Sequence, residues 1–395
     1  MEFRRISALP PYAFAEIDRL KLELRRAGED VIDLGFGNPD LASPPEAVAK
    51  LQEAAAKERN HRYSSSRGIP RLRAAVCELY RRRFGVELDP ETQALTTIGA
   101  KEGLSHLMWV LVQPGDVAVV PTPTYPIHTY APVLAGATVV QAPVDGGFAV
   151  FEEAFASAPT RPRVIVLSYP HNPTTTVAEP DLFERAVAFA RENEVLIAHD
   201  FAYADVAFDG YRPPSILEVE GASDVAVELY TLTKGFSMAG WRVGFLLGNA
   251  EVVGALARLK SYLDYGTFQP IQIAAIVAMN EAPGYPDEIT EIYRGRRDVL
   301  CRGLARIGWE IEPPRATMFV WAEIPEPYRA EGSQAFALRL AREAHVAVSP
   351  GAGFGAGGEG YVRFALVENE QRIAQATRGI RRALSELESP ARASR

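Results

Sequence analysis

Short apolar runs alternate with amphipathic segments from Thr92 onward, and this alternation restricts the folds that the chain can adopt. Runs of strand length cover residues 93–98, 117–121, 138–142, 164–167, 195–200, 227–232 and 243–247. Amphipathic segments such as 182–193 separate several of them. Because strands that alternate with helices form mostly parallel sheets covered on both faces, the sequence predicts an α/β fold.

The pattern changes after Gly308. Runs at 318–324, 346–349 and 361–367 accompany helical patterns at 333–344 and 370–387, which is typical of a smaller α+β domain. We therefore predict an N-terminal arm that contributes to the small domain at 1–45, a large domain at 46–285 and the main part of the small domain at 286–388. We expect residues 389–395 to be disordered.

Charge and composition exclude several classes of partner and site. The 395 residues carry a net charge of −8, which argues against a nucleic acid or an anionic membrane as the main partner. Cys77 and Cys301 lack the spacing of a disulfide framework or a zinc site, and we expect no metal. No stretch reaches the about 20 apolar residues of a membrane-spanning helix. We expect no membrane partner, and a cytoplasmic location fits the chain best.

Polar residues stand where several predicted strands end, and ligands of α/β sheets bind at the carboxyl ends of strands. Asp200 ends a buried apolar run, where an unpaired carboxylate is costly, so it should face a cation or strong donors. Asn172 follows the fourth run, and a proline-rich segment would hold the Tyr125 ring in place. Ala100 and Lys101 open a helical segment after the first run, where free N–H groups favour an anion.

Lys234 lies in a turn of small residues between the last two runs of the alternating region. Thr231 and Thr233 precede it and Arg242 follows it, so hydroxyl groups and one fixed cation surround a primary amine. This set of groups suits an anionic ligand that carries a carbonyl. A single lysine is usually a solvated surface charge, so other residues must decide whether Lys234 belongs to a site.

Taken together, these residues resemble one known pattern. The chain resembles the class I/II aminotransferases, pyridoxal-phosphate enzymes of fold type I, in the order of Asn172, Asp200, Tyr203, Lys234, Arg242 and Arg363. Motifs similar to those of the bacterial glutamate-pyruvate (alanine) aminotransferases are LPPYAFAEID, YSSSRGIPRLR, TIGAKEGL, PTYPIH, TLTKGFSMAGWRVGF, YGTFQP and VRFALVEN. The LL-diaminopimelate aminotransferases are a neighbouring branch. The resemblance implies a large domain with a mostly parallel seven-stranded sheet between helices, and a smaller α+β domain.

The resemblance also implies how each residue would meet the cofactor. Lys234 would form a Schiff base with the aldehyde of pyridoxal 5'-phosphate and then carry a proton, as a catalytic residue. Asp200 would pair with the pyridine nitrogen, and Tyr203 and Asn172 would hydrogen-bond the ring oxygen. Tyr125 would stack on the face of the ring.

The phosphate and the substrate would be held by further residues of the same pattern. The resemblance assigns the phosphate to Ala100, Lys101, Thr231, Thr233 and Arg242. Tyr63 would reach the phosphate of the other subunit, which makes a homodimer part of the mechanism. Arg363 would bind the substrate α-carboxylate. The other substrate contacts would come from Gly37, Tyr12, Asn172 and Tyr125.

The chain departs from the family in two places. Thr231 and Thr233 stand where the family often has serine, a change that keeps the hydroxyl group. Thr175 stands where the family often has glycine after Asn-Pro-Thr, which predicts a differently shaped loop near the cofactor.

The reaction and the substrate have several possible readings at this point. We expect amino-group transfer between an L-amino acid, with alanine as the first choice, and a 2-oxo acid such as 2-oxoglutarate or pyruvate. The cycle would be ping-pong, alternating between the pyridoxal and pyridoxamine forms of the cofactor. The alternatives are an LL-diaminopimelate, aspartate or aromatic aminotransferase, a C–S lyase with the same fold and cofactor, and a non-enzymatic regulator.

Overall fold

The computed structural model describes residues 3–384 except residues 8 and 12. The disordered tail predicted at 389–395 and the substrate contact predicted for Tyr12 lie outside the described residues. Within those residues, no helix is both long and apolar enough to cross a membrane.

The described strands form three sheets. In chain order they are Ile32–Asp33 (β1), Ala94–Thr97 (β2), Val117–Thr122 (β3), Thr138–Pro143 (β4), Val164–Ser168 (β5), Leu196–Asp200 (β6), Ala226–Thr231 (β7), Gly244–Gly248 (β8), Phe319–Glu323 (β9), Val346–Ala347 (β10), Ser349–Pro350 (β11) and Tyr361–Ala365 (β12). Each predicted run of the alternating region corresponds to one of the strands β2 to β8.

The α-helices cover the sheets and connect the strands. They are Arg4–Ser7 (α1), Ala15–Arg26 (α2), Pro45–Ala55 (α3), Pro70–Phe84 (α4), Ala100–Leu111 (α5), Pro126–Ala135 (α6), Ala149–Ala156 (α7), Pro180–Glu192 (α8), Ala222–Val225 (α9), Ala250–Leu263 (α10), Gln269–Glu281 (α11), Tyr285–Ala305 (α12), Glu326–Arg329 (α13), Ser333–Glu343 (α14) and Glu370–Ala383 (α15). The helices α4, α6 and α8 begin at a proline, which has no N–H group to leave unpaired in the first turn.

The large sheet has the strand order β2-β8-β7-β6-β5-β3-β4. β8 runs antiparallel to both of its neighbours, and all the other neighbouring strands are parallel. The expected mostly parallel α/β sheet is therefore confirmed. The central strands β5 and β7 are buried along their whole length, because helices cover both faces of the sheet.

Three neighbouring strands of this sheet bring distant parts of the sequence together. Ser168 pairs with Asp200, and Asp200 pairs with Leu229, so β5, β6 and β7 end at the same edge of the sheet. Asn172 follows β5 and Thr231 ends β7. The loops that carry the predicted polar residues therefore meet at this edge.

A second hydrophobic core surrounds two smaller sheets. One sheet is antiparallel with the order β11-β12-β9, and in the other β1 pairs with β10 in parallel. The strand predicted at 346–349 is in fact two strands, because Val346 pairs with Ile32 whereas Ser349 pairs with Arg363. Ile17 of α2 packs in the same core, so the N-terminal segment joins the C-terminal third of the chain. The domain limits given above stay a prediction.

Candidate active site

A cavity of about 510 Å³ lies at the carboxyl end of the large sheet, with residues of the small antiparallel sheet on its other side. Most of the site residues predicted from the sequence line it. They are Gly37, Ala100, Lys101, Tyr125, Asn172, Asp200, Tyr203, Thr231, Thr233, Lys234, Arg242 and Arg363. The fold therefore brings into one cavity residues that are far apart in the chain, such as Gly37 and Arg363.

Lys234 lies in the turn between β7 and β8, with its amine directed into the cavity. Its Nζ donates a hydrogen bond to the Gly37 carbonyl oxygen at 3.0 Å and lies 5.6 Å from the centre of the Tyr203 ring. Burial, followed by the charges of Arg363 and Arg242, lowers the pKa of the Lys234 amine to about 7, although Asp200 opposes this shift. A substantial fraction of this amine is therefore neutral near pH 7.

Asp200 ends β6 and is held by a buried histidine that the sequence reasoning missed. His128 Nε2 lies 2.9 Å from Asp200 Oδ2, and His128 Nδ1 lies 2.6 Å from Thr124 Oγ1. Because a carboxylate only accepts, a neutral His128 donates through Nε2 and accepts from the Thr124 hydroxyl. The backbone N–H of Ala202 donates to Asp200 Oδ1 at 3.2 Å. The sequence could have indicated His128 by its position, because it follows Tyr125 closely and lies in the first turn of α6.

Tyr203 and Asn172 approach the cavity from the loops after β6 and β5. Burial raises the pKa of the Tyr203 hydroxyl well above its ordinary value, so this group remains a hydrogen-bond donor at neutral pH. Buried His171 Nε2 lies 3.0 Å from the Pro123 carbonyl oxygen, which connects the loop of Asn172 to the loop of Tyr125. Thr175 has a φ of 63°, in the left-handed region that favours glycine.

The start of α5 and the Lys234 turn form a concave group of donors. Gly99 precedes α5 with φ 79° and ψ 161°, and the Arg242 guanidinium lies directly against it. Arg242 donates to the Ala239 carbonyl oxygen at 3.0 Å and to the Ile98 carbonyl oxygen at 3.3 Å. The hydroxyl groups of Thr231 and Thr233 lie 2.7 Å apart in the same wall. A helix N-terminus, two hydroxyl groups and a guanidinium are the donors that a phosphate needs.

Arg363 on β12 enters the cavity from the opposite side. Its guanidinium carbon lies 3.9 Å from the centre of the Phe319 ring and 4.6 Å from that of Phe354. Arg363 also donates to Asn172 Oδ1 at 2.7 Å and to the Gly35 carbonyl oxygen at 3.0 Å. Ser349 Oγ accepts a further hydrogen bond from Arg363 at 3.3 Å. The two rings and these acceptors fix the plane of the guanidinium. Sequence reasoning missed both rings. Phe354 lies in the glycine-rich loop 351–360, which precedes β12.

Tyr63 does not line this cavity. Its side chain is on the surface, with 85% of the residue exposed, and its ring centre lies 4.6 Å from that of Tyr265, which is also exposed. Within one chain, the structure does not bring Tyr63 to the other predicted site residues.

A family model described as aminotransferase class I and II matches residues 29–380. The chain belongs to the class I and II aminotransferases. It is 52% identical to glutamate-pyruvate aminotransferase AlaC of Escherichia coli, over 96% of this chain and 93% of that protein. It is 45% identical to an LL-diaminopimelate aminotransferase of Syntrophobacter fumaroxidans, over 96% of this chain and 97% of that protein. Among solved structures, an aspartate aminotransferase single mutant of Thermus thermophilus has a TM-score of 0.90 at 28% identity, covering 97% of this chain and all of that one.

Class I and II aminotransferases depend on pyridoxal phosphate, and this aminotransferase has residues that fit the cofactor. The Arg242 guanidinium can lie against the start of α5, where an anion would bind, only because position 99 lacks a side chain, since a Cβ there would lie 2.1 Å from Arg242 Nη2. The Asp200 carboxylate is positioned by His128 and faces the same cavity. An amine, an anion site and a buried carboxylate are the three groups that an aldehyde, a phosphate and a pyridine nitrogen require. The protein is a pyridoxal-phosphate-dependent aminotransferase that acts on amino acids and oxo acids.

Proposed function

We propose that this aminotransferase exchanges amino groups between alanine and 2-oxoglutarate in a ping-pong cycle. The Escherichia coli relative at 52% identity carries the name of this reaction, which supports alanine as the amino acid. The structural observation that supports the site assignment is the position of Lys234. Its amine has a lowered pKa and lies within electrostatic range of Arg363, Arg242 and Asp200.

Pyridoxal phosphate, when bound, supplies an aldehyde that condenses with amines and a ring that accepts electrons from the substrate. Asp200 would hold a proton on the ring nitrogen, which keeps the ring electron-poor. His128 donates to one Asp200 oxygen and the Ala202 N–H donates to the other, so the carboxylate cannot rotate away from this position. Tyr203 would donate its hydroxyl hydrogen to the ring oxygen.

Lys234 would act first as a nucleophile and then as a proton carrier. A pKa of about 7 leaves a neutral amine available for attack on the cofactor aldehyde at physiological pH. The Lys234 amine would also accept the proton from the substrate Cα and deliver it to the carbon of the cofactor aldehyde group. Arg363 would hold the substrate α-carboxylate during this transfer, and its fixed plane favours a bidentate contact.

The phosphate would bind at the start of α5, with Ala100 and Lys101 donating through backbone N–H groups and Arg242 through its guanidinium. We also propose a homodimer in which Tyr63 of each subunit reaches the phosphate in the other. The high exposure of Tyr63 and of its neighbour Tyr265 is consistent with a surface that a second copy covers.

A substrate with a second carboxylate, such as glutamate, needs a further cation in the cavity. The lysines and arginines that line the described cavity are Lys21, Lys101, Lys234, Arg242 and Arg363. Lys21 already donates hydrogen bonds to Asp18 at 2.9 Å and to Asp33 at 2.7 Å. Lys234, Arg242 and Arg363 have the roles given above. The Lys101 amine lies 5.8 Å from the centre of the Tyr125 ring, next to the proposed ring site. Among the cations of one subunit, we therefore propose the Lys101 side chain as the partner of the second carboxylate.

The second candidate is an LL-diaminopimelate aminotransferase, because a relative with this name is 45% identical. Charges of both signs on one cavity wall, from Lys21, Asp18 and Asp33, would suit a substrate that ends in a second amino-acid group.

The deciding experiment measures half-reactions. The cofactor-loaded protein is mixed in turn with alanine, glutamate, LL-diaminopimelate, aspartate and an aromatic amino acid, and the loss of the visible cofactor absorbance is followed.

The alanine assignment expects fast single-turnover conversion with both alanine and glutamate. Conversion by diaminopimelate in the absence of conversion by alanine and glutamate would refute it. The same assay separates a transaminase from a lyase. With one amino acid and no oxo acid, a transaminase stops after one turnover, whereas a lyase continues to release product.

A further inference from the structure

We propose that Asp205 is a positioning residue that braces the Lys234 turn against the segment carrying Tyr203. This inference rests on the proposed role of Lys234 as the reactive amine. Asp205 lies five residues after Asp200, outside the set of residues that line the active-site cavity. None of the roles given above involves it.

The Asp205 carboxylate is buried, and both of its oxygens have partners. The Tyr230 hydroxyl donates to Oδ2 at 2.8 Å, and Arg83 donates through Nη1 to Oδ1. The side chain of Asp205 is 2% exposed and that of Arg83 is 35% exposed. A hydroxyl from the core and a cation from the surface therefore hold the carboxylate in one orientation.

Gly235, the residue directly after Lys234, packs on this carboxylate. A Cβ at position 235 would lie 2.3 Å from Asp205 Cβ and 2.6 Å from Asp205 Oδ2. These distances are below any ordinary van der Waals contact, so the backbone of Gly235 rests directly on the Asp205 side chain. Because Lys234 and Gly235 share a peptide unit, a shift of Asp205 moves the base of the Lys234 side chain.

The same carboxylate also restrains the segment that follows Asp200. The Ala204 N–H donates to the Phe201 carbonyl oxygen at 3.1 Å, and the Val206 N–H donates to the Tyr203 carbonyl oxygen at 3.2 Å. These bonds close tight turns around Tyr203. The segment is joined to β7 at two points, by the Phe201 N–H, which donates to the Leu229 carbonyl oxygen at 3.0 Å, and by the Asp205 carboxylate, which accepts from the Tyr230 hydroxyl. Tyr230 lies on β7, one residue before Thr231. Asp205 therefore contacts the chain on both sides of Lys234, at Tyr230 and at Gly235.

Weakening the contacts of Asp205 with Tyr230 and Gly235 should change the environment of the Lys234 amine. Burial is the largest cause of the low pKa of Lys234, and a lysine turn that moves away from its support admits water. The groups that face the amine are Asp200, Arg242, Arg363 and the Tyr203 ring, and the variants chosen below leave all of them in place. Loss of the Asp205 contacts should therefore raise the pKa of Lys234 towards its ordinary value.

The test uses the full chain without cofactor, so that it does not depend on turnover. An amine-reactive reagent labels the protein across a pH series, and peptide mass spectrometry gives the midpoint for Lys234. Asp205→Asn removes the charge with almost no change in volume, and Tyr230→Phe removes one hydrogen bond only. The control is Asp209→Asn, which breaks a carboxylate–arginine pair with Arg297 in the same segment without contacting Gly235.

We expect the Lys234 midpoint to rise by about one pH unit in Asp205→Asn and by less in Tyr230→Phe, and to stay unchanged in Asp209→Asn. With cofactor, kcat for Asp205→Asn should fall roughly ten- to a hundredfold while half-saturation changes little. If Asp205→Asn does not fold, Tyr230→Phe decides, and an unshifted midpoint there overturns the proposal. A lower unfolding temperature with an unshifted midpoint in either variant would make Asp205 a purely structural residue. Failure of the unaltered chain to bind the cofactor at Lys234 would instead count against the proposed function.

Discussion

Gly99 offers the sharpest test of the anion site, because one methyl group changes one contact. Gly99 precedes α5 with φ 79° and ψ 161°, a conformation that is nearly restricted to glycine. A Cβ at this position would lie 2.1 Å from Arg242 Nη2 and 2.7 Å from its guanidinium carbon. Gly99→Ala must therefore strain the backbone and also displace the Arg242 guanidinium.

The chain contains a matched control for the strain. Gly332 precedes α14 with φ 80° and ψ 158°, and a Cβ there would meet only Glu359 Oε1 at 3.5 Å, an ordinary contact. Both alanine variants should lose about 1–3 kcal/mol of unfolding free energy from the backbone alone. Only Gly99→Ala should also lose the charged hydrogen bond from Arg242 to the phosphate, worth about 1.5–3 kcal/mol. That loss corresponds to a roughly 10- to 150-fold weaker Kd for the cofactor.

The assay titrates pyridoxal phosphate into the cofactor-free proteins and follows the visible absorbance, while thermal unfolding reports the strain. We expect both variants to lower Tm, Gly99→Ala by more because it also displaces Arg242 from the Ala239 and Ile98 carbonyl oxygens, and we expect weaker cofactor binding in Gly99→Ala alone. Equal cofactor affinity in Gly99→Ala and Gly332→Ala would refute the assignment of Arg242 to the phosphate. It would show that the contact at position 99 does not matter for binding.

Other predictions concern the groups around the substrate. Lys234→Ala should still bind the cofactor through its phosphate and ring contacts, but should lose the visible absorbance of the lysine-linked form and nearly all turnover; near-normal turnover would exclude Lys234 as the reactive amine. Arg363→Ala should raise the half-saturating concentration of every amino acid by about 1.5–3 kcal/mol, or roughly 10- to 150-fold, and an unchanged value would remove it from the α-carboxylate. Lys101→Gln should raise half-saturation for glutamate and 2-oxoglutarate but not for alanine and pyruvate; equal effects on all four would place the Lys101 side chain elsewhere. The pKa of Lys234 is lowered from 10.5 to about 7, so between these pH values the unfolded chain binds more protons than the folded chain. The cofactor-free protein should therefore gain stability as the pH rises from about 7 to 10.5. Denaturant unfolding across this range checks the sign, and Lys234→Met, which cannot titrate, should flatten the slope.

The strands and the Lys234 turn could be predicted from the sequence because they depend on neighbouring residues. Strand-length apolar runs and small-residue turns are local patterns, and β2 to β8 lie where these patterns place them. Asp200 could be selected as a site residue from its position alone, since a carboxylate at the end of a buried strand needs a partner. The partner itself, His128, lies 72 residues earlier in the chain and could not be identified in this way.

Long-range pairing also explains the error at 346–349. An apolar run of four residues predicts one strand, but the choice between pairing with Ile32 and pairing with Arg363 depends on where β1 and β12 lie. Neither position is encoded in the run itself. The same limit applies to the glycine-rich loop, whose Phe354 was recognised as a cavity residue only from its packing on Arg363.

By itself, the sequence determined the α/β class, the order of the strands along the chain, and a set of residues whose spacing matches the class I and II aminotransferases. The tertiary structure alone decided which groups support that set: the His128 contact to Asp200, the Thr124 contact to His128, the two rings around Arg363, and the Asp205 side chain against Gly235. The physical reason is that periodicity and turn chemistry are properties of adjacent residues. Support of a reactive group depends on close packing between segments that meet only when the chain is folded.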